Sequence, residues 1–321
     1  MTIKVAVLDD YLDMAGGSAH WSALGPDIEL TIFNRNLASV DEAAAALRDF
    51  HVLSLMRERM PLPKSLIDRL PNLKLVITTG GRNRSIDIEA CMARGIAVCG
   101  TRSQDPAPTI EIAWGLILSA ARNLSREDAH MRRGGWQERL GFSLHGKTLG
   151  IVGLGHLGKR MVEVGKAFGM NIVAWSQNLT SEGAAAAGVT RVDKDELMSG
   201  ADVITIHLVL SDRTRGLIGA REFDLMKPSA ILVNTSRGPI IDETAMISAL
   251  RKKQILAACL DVFNVEPLPA DHELRGLDNA ILSPHLGYAT QGNYRTYFAD
   301  TIEAIQAWRA GTAIPRLIES A

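Results

Sequence analysis

At 321 residues the chain exceeds what one compact core usually holds, and a prior of about 100 to 200 residues per domain points to two domains. Hydrophobic residues at 46% and charged residues at 22% exclude a disordered or fibrous protein. Lys plus Arg at 35 against Asp plus Glu at 36 leaves no global field to draw nucleic acid or an acidic membrane, so neither is expected as a partner.

The opening MTIKVAVLDD reads as a short strand and lacks the features of a secretory signal. Short β-rich runs follow it: "KVAVLD", "IELTIF", "HVLSLM", "KLVITT" and "GIAVCG", each separated by an Ala- or Leu-rich amphipathic stretch. That alternation predicts a parallel α/β sheet. "TRSQDPAPT", with Pro106 and Pro108, is turn-rich and suggests a domain boundary, after which a single long helix is predicted from about Thr109 to Met131. The rhythm then restarts in "KTLGIVGLG", "MNIVAW", "ADVITIH", "AILVNTS", "AACLDVF" and "NAILSPH", predicting a second parallel sheet. A final amphipathic helix, "TYFADTIEAIQAWRAG", could cap either domain. Apolar runs are broken well before the roughly 18 residues a membrane span needs, so the expected compartment is the cytoplasm. Cys91, Cys99 and Cys259 are too few and too scattered for a disulfide framework or a zinc site, and buried thiols are expected.

"IVGLGHLG" places Gly153, Gly155 and Gly158 as GxGxxG directly after a predicted strand and before a predicted helix. In that context Gly153 permits a tight turn, Gly155 lets a pyrophosphate approach the backbone, and Gly158 lets helix and strand pack closely. His156 and Leu157 inside the loop are candidate cofactor contacts, though His156 reads first as a solvent-facing start of the helix. An NAD site usually has an acidic residue at the end of the next strand; here Ser176, Gln177 and Asn178 stand there, with neither a carboxylate to repel a 2′-phosphate nor an adjacent Arg to attract one. The choice between NAD(H) and NADP(H) stays open.

Three strand ends in the second half carry polar residues: "NTSRGPIIDE", "LDVFNVEPLP" and "SPHLGYAT". Ligands bind outside the carboxyl ends of such strands, so Arg237, Asp261, Glu266 and His285 are expected around one crevice. Their chemistry suits reduction of a 2-oxo acid. Arg237 offers a forked cation for the carboxylate and carbonyl, His285 a proton donor and acceptor near neutral pH, and Glu266 a carboxylate to orient the ring. Singly, each has a blander reading as an ion pair, a helix-start charge or a strand-end hydrogen bond.

With these motifs the chain resembles the D-isomer-specific 2-hydroxyacid dehydrogenase family over nearly its whole length. "GKTLGIVGLGHLGKRM" is similar to the family's nucleotide motif, "ILVNTSRGPIIDE" to its arginine motif, "LDVFNVEPL" to its glutamate motif and "ILSPHLGYAT" to its histidine motif. The resemblance implies that Arg237 binds substrate, that Glu266 pairs with His285 and that Asp261 holds the nicotinamide end. It implies two doubly wound domains: a flavodoxin-like substrate domain from residues 1–100 and 287–321, with a Rossmann dinucleotide domain, 101–286, inserted. It also implies a homodimer joined around Ile110 to Ala121. The first-domain loops "TTGGRNRSID" and "LMRERMP" depart from the family's pattern by carrying Arg82, Arg84, Arg57 and Arg59; Arg57, Gly81 and Arg82 are candidate substrate contacts, with solvated loop arginines as the alternative. Transcriptional corepressors, and phosphite and formate dehydrogenases, resemble the same fold and keep the same constellation, so they are the competing readings.

Overall fold

The computed structural model describes residues 2–37, 39–102 and 107–319. It separates into two compact units, one formed by residues 1–105 with 289–321 and the other by residues 106–288. The segment around Pro106, where the sequence suggests a boundary, lies in 103–106, outside the described residues.

The first unit holds a parallel sheet of β1 (Ile3–Val7), β2 (Ile28–Ile32), β3 (Val52–Leu55), β4 (Leu75–Thr78) and β5 (Ala97–Gly100), in the order β2-β1-β3-β4-β5. β3 and β4 are buried along their whole length, which is why they read as near-continuous apolar runs, broken only by the buried Ser54 and Thr78. One face packs Ala6, Leu53, Leu55 and Val76 against the helix Val40–Leu47 and its neighbours. The other packs Val5, Val52, Leu75 and Ile77 against Ile302 and Ile305 of the helix Gln291–Ala310. That helix therefore covers the first sheet. Asp300, 1% exposed, anchors it by accepting from the Arg102 backbone N–H (2.7 Å), Nε (3.0 Å) and Nη2 (2.7 Å) just beyond β5.

The second unit holds β6 (Thr148–Val152), β7 (Asn171–Trp175), β8 (Thr190–Arg191), β9 (Val203–Ile206), β10 (Ile231–Asn234), β11 (Ala257–Leu260) and β12 (Ala280–Leu282). All pair in parallel, in the order β12-β11-β10-β9-β6-β7-β8, so the order reverses between β6 and β9. Ligands of open α/β sheets bind at such a reversal. β8 was not anticipated from the sequence, because two exposed residues carry no apolar pattern.

The single helix expected over Thr109 to Met131 is two helices, Ala107–Arg122 and Leu124–Arg132, broken at Asn123 with φ 56°. Asn is among the few residues that enter this left-handed region cheaply, and the second helix buries nothing that would keep it in line with the first. The apolar face of the first helix, including Ile110, Trp114 and Ile117, packs within its own unit against Leu149, Ile151 and Val233. All three cysteines are free and buried. Among the described residues no helix is long and apolar enough to cross a membrane.

Candidate active site

The glycine loop leaves β6 at Gly153, whose φ of 104° suits only glycine and whose N–H donates to Trp175 O (2.8 Å) at the end of β7. A Cβ on Gly153 would lie 2.6 Å from His207 O, and one on Gly158 would strike Gly153 O, so neither position tolerates a side chain. At Gly155 a Cβ would meet nothing within 4 Å. Two glycines thus fasten the loop to its neighbours, while the third leaves open the space a pyrophosphate would take. The helix His156–Ala167 starts there and presents its unpaired N–H groups and partial positive charge to that space. His156 is exposed and Leu157 half-buried. These features fit a dinucleotide. Ser176 is half-buried beyond β7, with Gln177 and Asn178 exposed beside it.

Arg237, Asp261, Glu266 and His285 follow the ends of β10, β11 and β12, three neighbouring strands. The Asn234 side chain shapes the first loop: Nδ2 donates to Arg237 O (2.9 Å) and Oδ1 accepts the Ser236 N–H (3.0 Å). Ser236 Oγ donates to Ile206 O (2.7 Å), and Arg237 Nη1 to Ser236 O (2.6 Å). Gly238 lies so close to the Phe263 backbone that a Cβ would overlap it, which brings the Arg237 loop against the segment leading to Glu266.

Glu266 Oε1 accepts the Phe263 N–H at 2.8 Å, and its Oε2 lies 2.5 Å from His285 Nδ1. An ionised carboxylate only accepts, so Nδ1 carries the proton of this bond and Nε2 is the nitrogen left for proton exchange. Burial alone would push the Glu266 carboxyl up. The His285 hydrogen bond and charge, the Phe263 N–H and the Arg237 charge together outweigh burial and hold it below the ordinary carboxylate value. Arg237, Glu266 and His285 are thereby one electrostatic cluster.

Asp261 is 1% exposed and spends both oxygens on the loop that carries His285. Oδ1 accepts from Ser283 Oγ (2.5 Å) and the Leu286 N–H (2.8 Å), and Oδ2 from the Gly287 N–H (2.9 Å). Burial pushes its carboxyl up against these donors and the His285 charge. His285 itself sits at φ 54°, a conformation that a non-glycine residue holds only when its surroundings impose it, and the Asp261 bonds supply that constraint.

The remaining sequence candidates lie in the first unit, on the adjacent loops after β3 and β4. Arg57, at φ 55°, donates its backbone N–H to Thr79 Oγ1 (2.9 Å) and Nη1 to Thr79 O (3.4 Å), and its guanidinium lies against Gly80. Gly81 and Arg82 are exposed. Arg59 is a brace, donating Nη1 to Asp9 O (2.7 Å) and stacking 4.5 Å above the Tyr11 ring. Sequence reasoning missed three contributors. Asn234 was betrayed only by a polar residue at the end of a buried strand. Asn83, 3% exposed, donates to Arg57 O (2.5 Å) and holds that loop. His207 Nε2 shares a hydrogen bond with the Thr205 hydroxyl (2.8 Å), and burial lowers its pKa to about 4, leaving it neutral beside the glycine loop at pH 7.

A parallel sheet with a glycine loop at its reversal and an Arg, Glu and His cluster on neighbouring strand ends defines a dinucleotide-dependent oxidoreductase. Residues 114–287 match the family described as D-isomer specific 2-hydroxyacid dehydrogenase, NAD binding domain. The chain is 38% identical over 284 residues to a glyoxylate reductase of Aeropyrum pernix, covering 83% of this chain and 85% of that protein. It is 39% identical over 254 residues, 78% of its own length, to a D-3-phosphoglycerate dehydrogenase of Methanocaldococcus jannaschii, and spans 48% of that longer protein. A solved phosphoglycerate oxidoreductase from Vibrio cholerae o395 shares the fold with a TM-score of 0.92 at 34% identity, over 97% of this chain and 100% of that one. The chain belongs to the D-isomer specific 2-hydroxyacid dehydrogenase family, NAD-dependent oxidoreductases that transfer hydride on 2-hydroxy and 2-oxo acids.

Proposed function

We propose that this chain interconverts a small 2-oxo acid and its 2-hydroxy acid, using the second unit for the dinucleotide and for proton transfer. Gly153, Gly155, His156, Leu157 and Gly158 hold the pyrophosphate, Ser176 and Gln177 face the adenosine ribose, and Asp261 stands at the nicotinamide end, where it fixes the loop that carries His285. Bound there, the cofactor supplies or accepts the hydride. Arg237 holds the substrate carboxylate and polarises the carbonyl. His285, with Nδ1 committed to Glu266, uses Nε2 to protonate the carbonyl oxygen in reduction and to take the proton back in oxidation. Arg57, Gly81 and Arg82 are assigned to the rest of the substrate. The observation that carries this function is the 2.5 Å bond between His285 Nδ1 and Glu266 Oε2 within the field of Arg237.

The test is a panel of glyoxylate, hydroxypyruvate, pyruvate and bulkier 2-oxo acids with NADH and NADPH. Turnover of at least one, lost in Arg237→Ala, is expected. Tight cofactor binding without turnover of any of them would overturn the assignment and favour a dinucleotide-sensing protein.

The chain acts as a homodimer in the cytoplasm, a compartment that suits its three free, buried thiols. The helix at Ile110 to Ala121 spends its apolar face inside its own unit. The second copy is assigned to this helix, as the family resemblance implies, together with the segment beyond it, where Leu124, Met131, Trp136 and Leu140 are 54%, 50%, 70% and 99% exposed. Light scattering on Trp136→Glu/Leu140→Glu checks this: a dimer in the wild type and a monomer in the variant.

A further inference from the structure

The turn after β7 occupies the place where a Rossmann domain reads the adenosine ribose. It runs Ser176 to Leu179, closed by the Leu179 N–H on Ser176 O at 3.1 Å. No carboxylate stands between Trp175 and Thr180. An Asp or Glu here would accept from the two ribose hydroxyls and repel a 2′-phosphate; a hydroxyl and two amides instead offer donors.

The tertiary structure adds a cation that sequence order hid. β8 runs parallel to β7 with Arg191 paired to Ala174, and the following Val192 N–H donates to Ala174 O at 3.1 Å. Arg191 Nε donates to Leu179 O at 2.9 Å, which lays the guanidinium against the turn. Its Nη1 stands 3.8 Å from Asp193 Oδ1, beyond hydrogen-bond length, and with side chains 37% and 83% exposed this pair is screened by water. The fork thus keeps terminal N–H donors for an anion at the turn.

Resting on the dinucleotide site proposed above, we propose that Arg191, with Ser176 and Gln177, forms a 2′-phosphate subsite, and that the protein selects NADP(H) over NAD(H). The hydride chemistry is the same for both, so the selection lies wholly in binding. Arg191 acts through charge on a group that only NADP(H) carries.

The test is a titration of NADPH and NADH against wild-type protein, Arg191→Ala, Arg191→Lys and Ser176→Asp, followed by quenching of intrinsic tryptophan fluorescence. Wild-type protein should bind NADPH at least about tenfold more tightly than NADH, as expected for one charge-assisted contact, and salt should narrow the gap. Arg191→Ala should remove most of that gap by weakening NADPH alone. Arg191→Lys should keep part of it, and Ser176→Asp should reverse it. Adenosine 2′,5′-bisphosphate should displace NADPH better than 5′-AMP does. NADH binding as tightly as NADPH in the wild type, or Arg191→Ala weakening both alike as loss of a brace on Leu179 would, overturns the subsite and leaves the dinucleotide site standing. If Arg191→Ala does not fold, Ser176→Asp and the fragment competition decide. Wild-type protein that binds neither dinucleotide overturns both.

Discussion

Two glycine turns, one in each unit, follow central parallel strands with nearly the same backbone. Gly153 after β6 has φ 104° and Gly80 after β4 has φ 97°. What surrounds them differs. The space for a Cβ at Gly153 is closed by the His207 backbone, whereas at Gly80 it is taken by the side-chain guanidinium of Arg57. The second unit builds its edge from backbone and fully engaged carboxylates; the first builds its edge from cationic side chains on loops. Backbone closes the space beside Gly153, whereas a side chain closes the space beside Gly80.

The sharpest break of this comparison is His285→Ala. If the second unit carries the chemistry, kcat/KM should fall about a thousandfold in both directions, while NADH affinity in a fluorescence titration stays close to wild type. Arg237→Ala should cost roughly a hundredfold or more in kcat/KM, and Arg237→Lys should restore only part because an ammonium cannot reproduce the fork. Wild-type steady-state kinetics in either alanine variant would remove that residue from the site.

Alanine at the two glycines separates backbone from side-chain constraint. Gly153→Ala should lower stability by about 1 to 3 kcal/mol through strain at positive φ, read as a drop in Tm, and should weaken dinucleotide binding. Gly80→Ala carries the same strain plus a collision with Arg57, so part of its loss should be recovered in Gly80→Ala/Arg57→Ala. No single side-chain deletion should rescue Gly153→Ala. Equal rescue at both sites would erase the distinction.

Arg57→Ala and Arg82→Ala should raise KM for the preferred 2-oxo acid by about three- to tenfold with kcat little changed, as expected where binding is uniform between ground and transition states. A kcat loss as large as that of Arg237→Ala would move chemistry into the first unit.

The smallest expected effect is on the stability of Glu266→Gln. Because the folded state holds the Glu266 carboxyl below its ordinary 4.5, the unfolded chain binds the proton first. The contribution of Glu266 is fully present above about pH 4.5 and is lost as pH falls through the lowered value. Urea denaturation of wild type and Glu266→Gln from pH 7 to pH 3 should therefore show a stability gap that narrows in acid. A gap that widened would mean the carboxylate is not held by His285 and Arg237.

Sequence alone determined what depends on local pattern. Short continuous apolar runs between turn signals, such as "ILVN" and "AACL", read as buried strands, and GxGxxG between strand and helix reads as a dinucleotide loop. Strand-end position and chemical type were enough to propose Arg237, Glu266 and His285, and the fold brings Glu266 within a hydrogen bond of His285 and within the field of Arg237. Tertiary structure decided what depends on neighbours far away in the chain. Helix periodicity over Thr109 to Met131 could not reveal a left-handed Asn123, because one residue's conformation leaves the apolar spacing almost untouched. The two exposed residues of β8 have no pattern to read, so Arg191 came beside the Ser176 turn only through strand pairing. Asp261 is one acidic letter in the sequence; its three bonds to residues 283–287, which hold His285 in place, exist only because β11 and β12 are neighbours, so that both carboxylate oxygens meet donors 22 to 26 positions away.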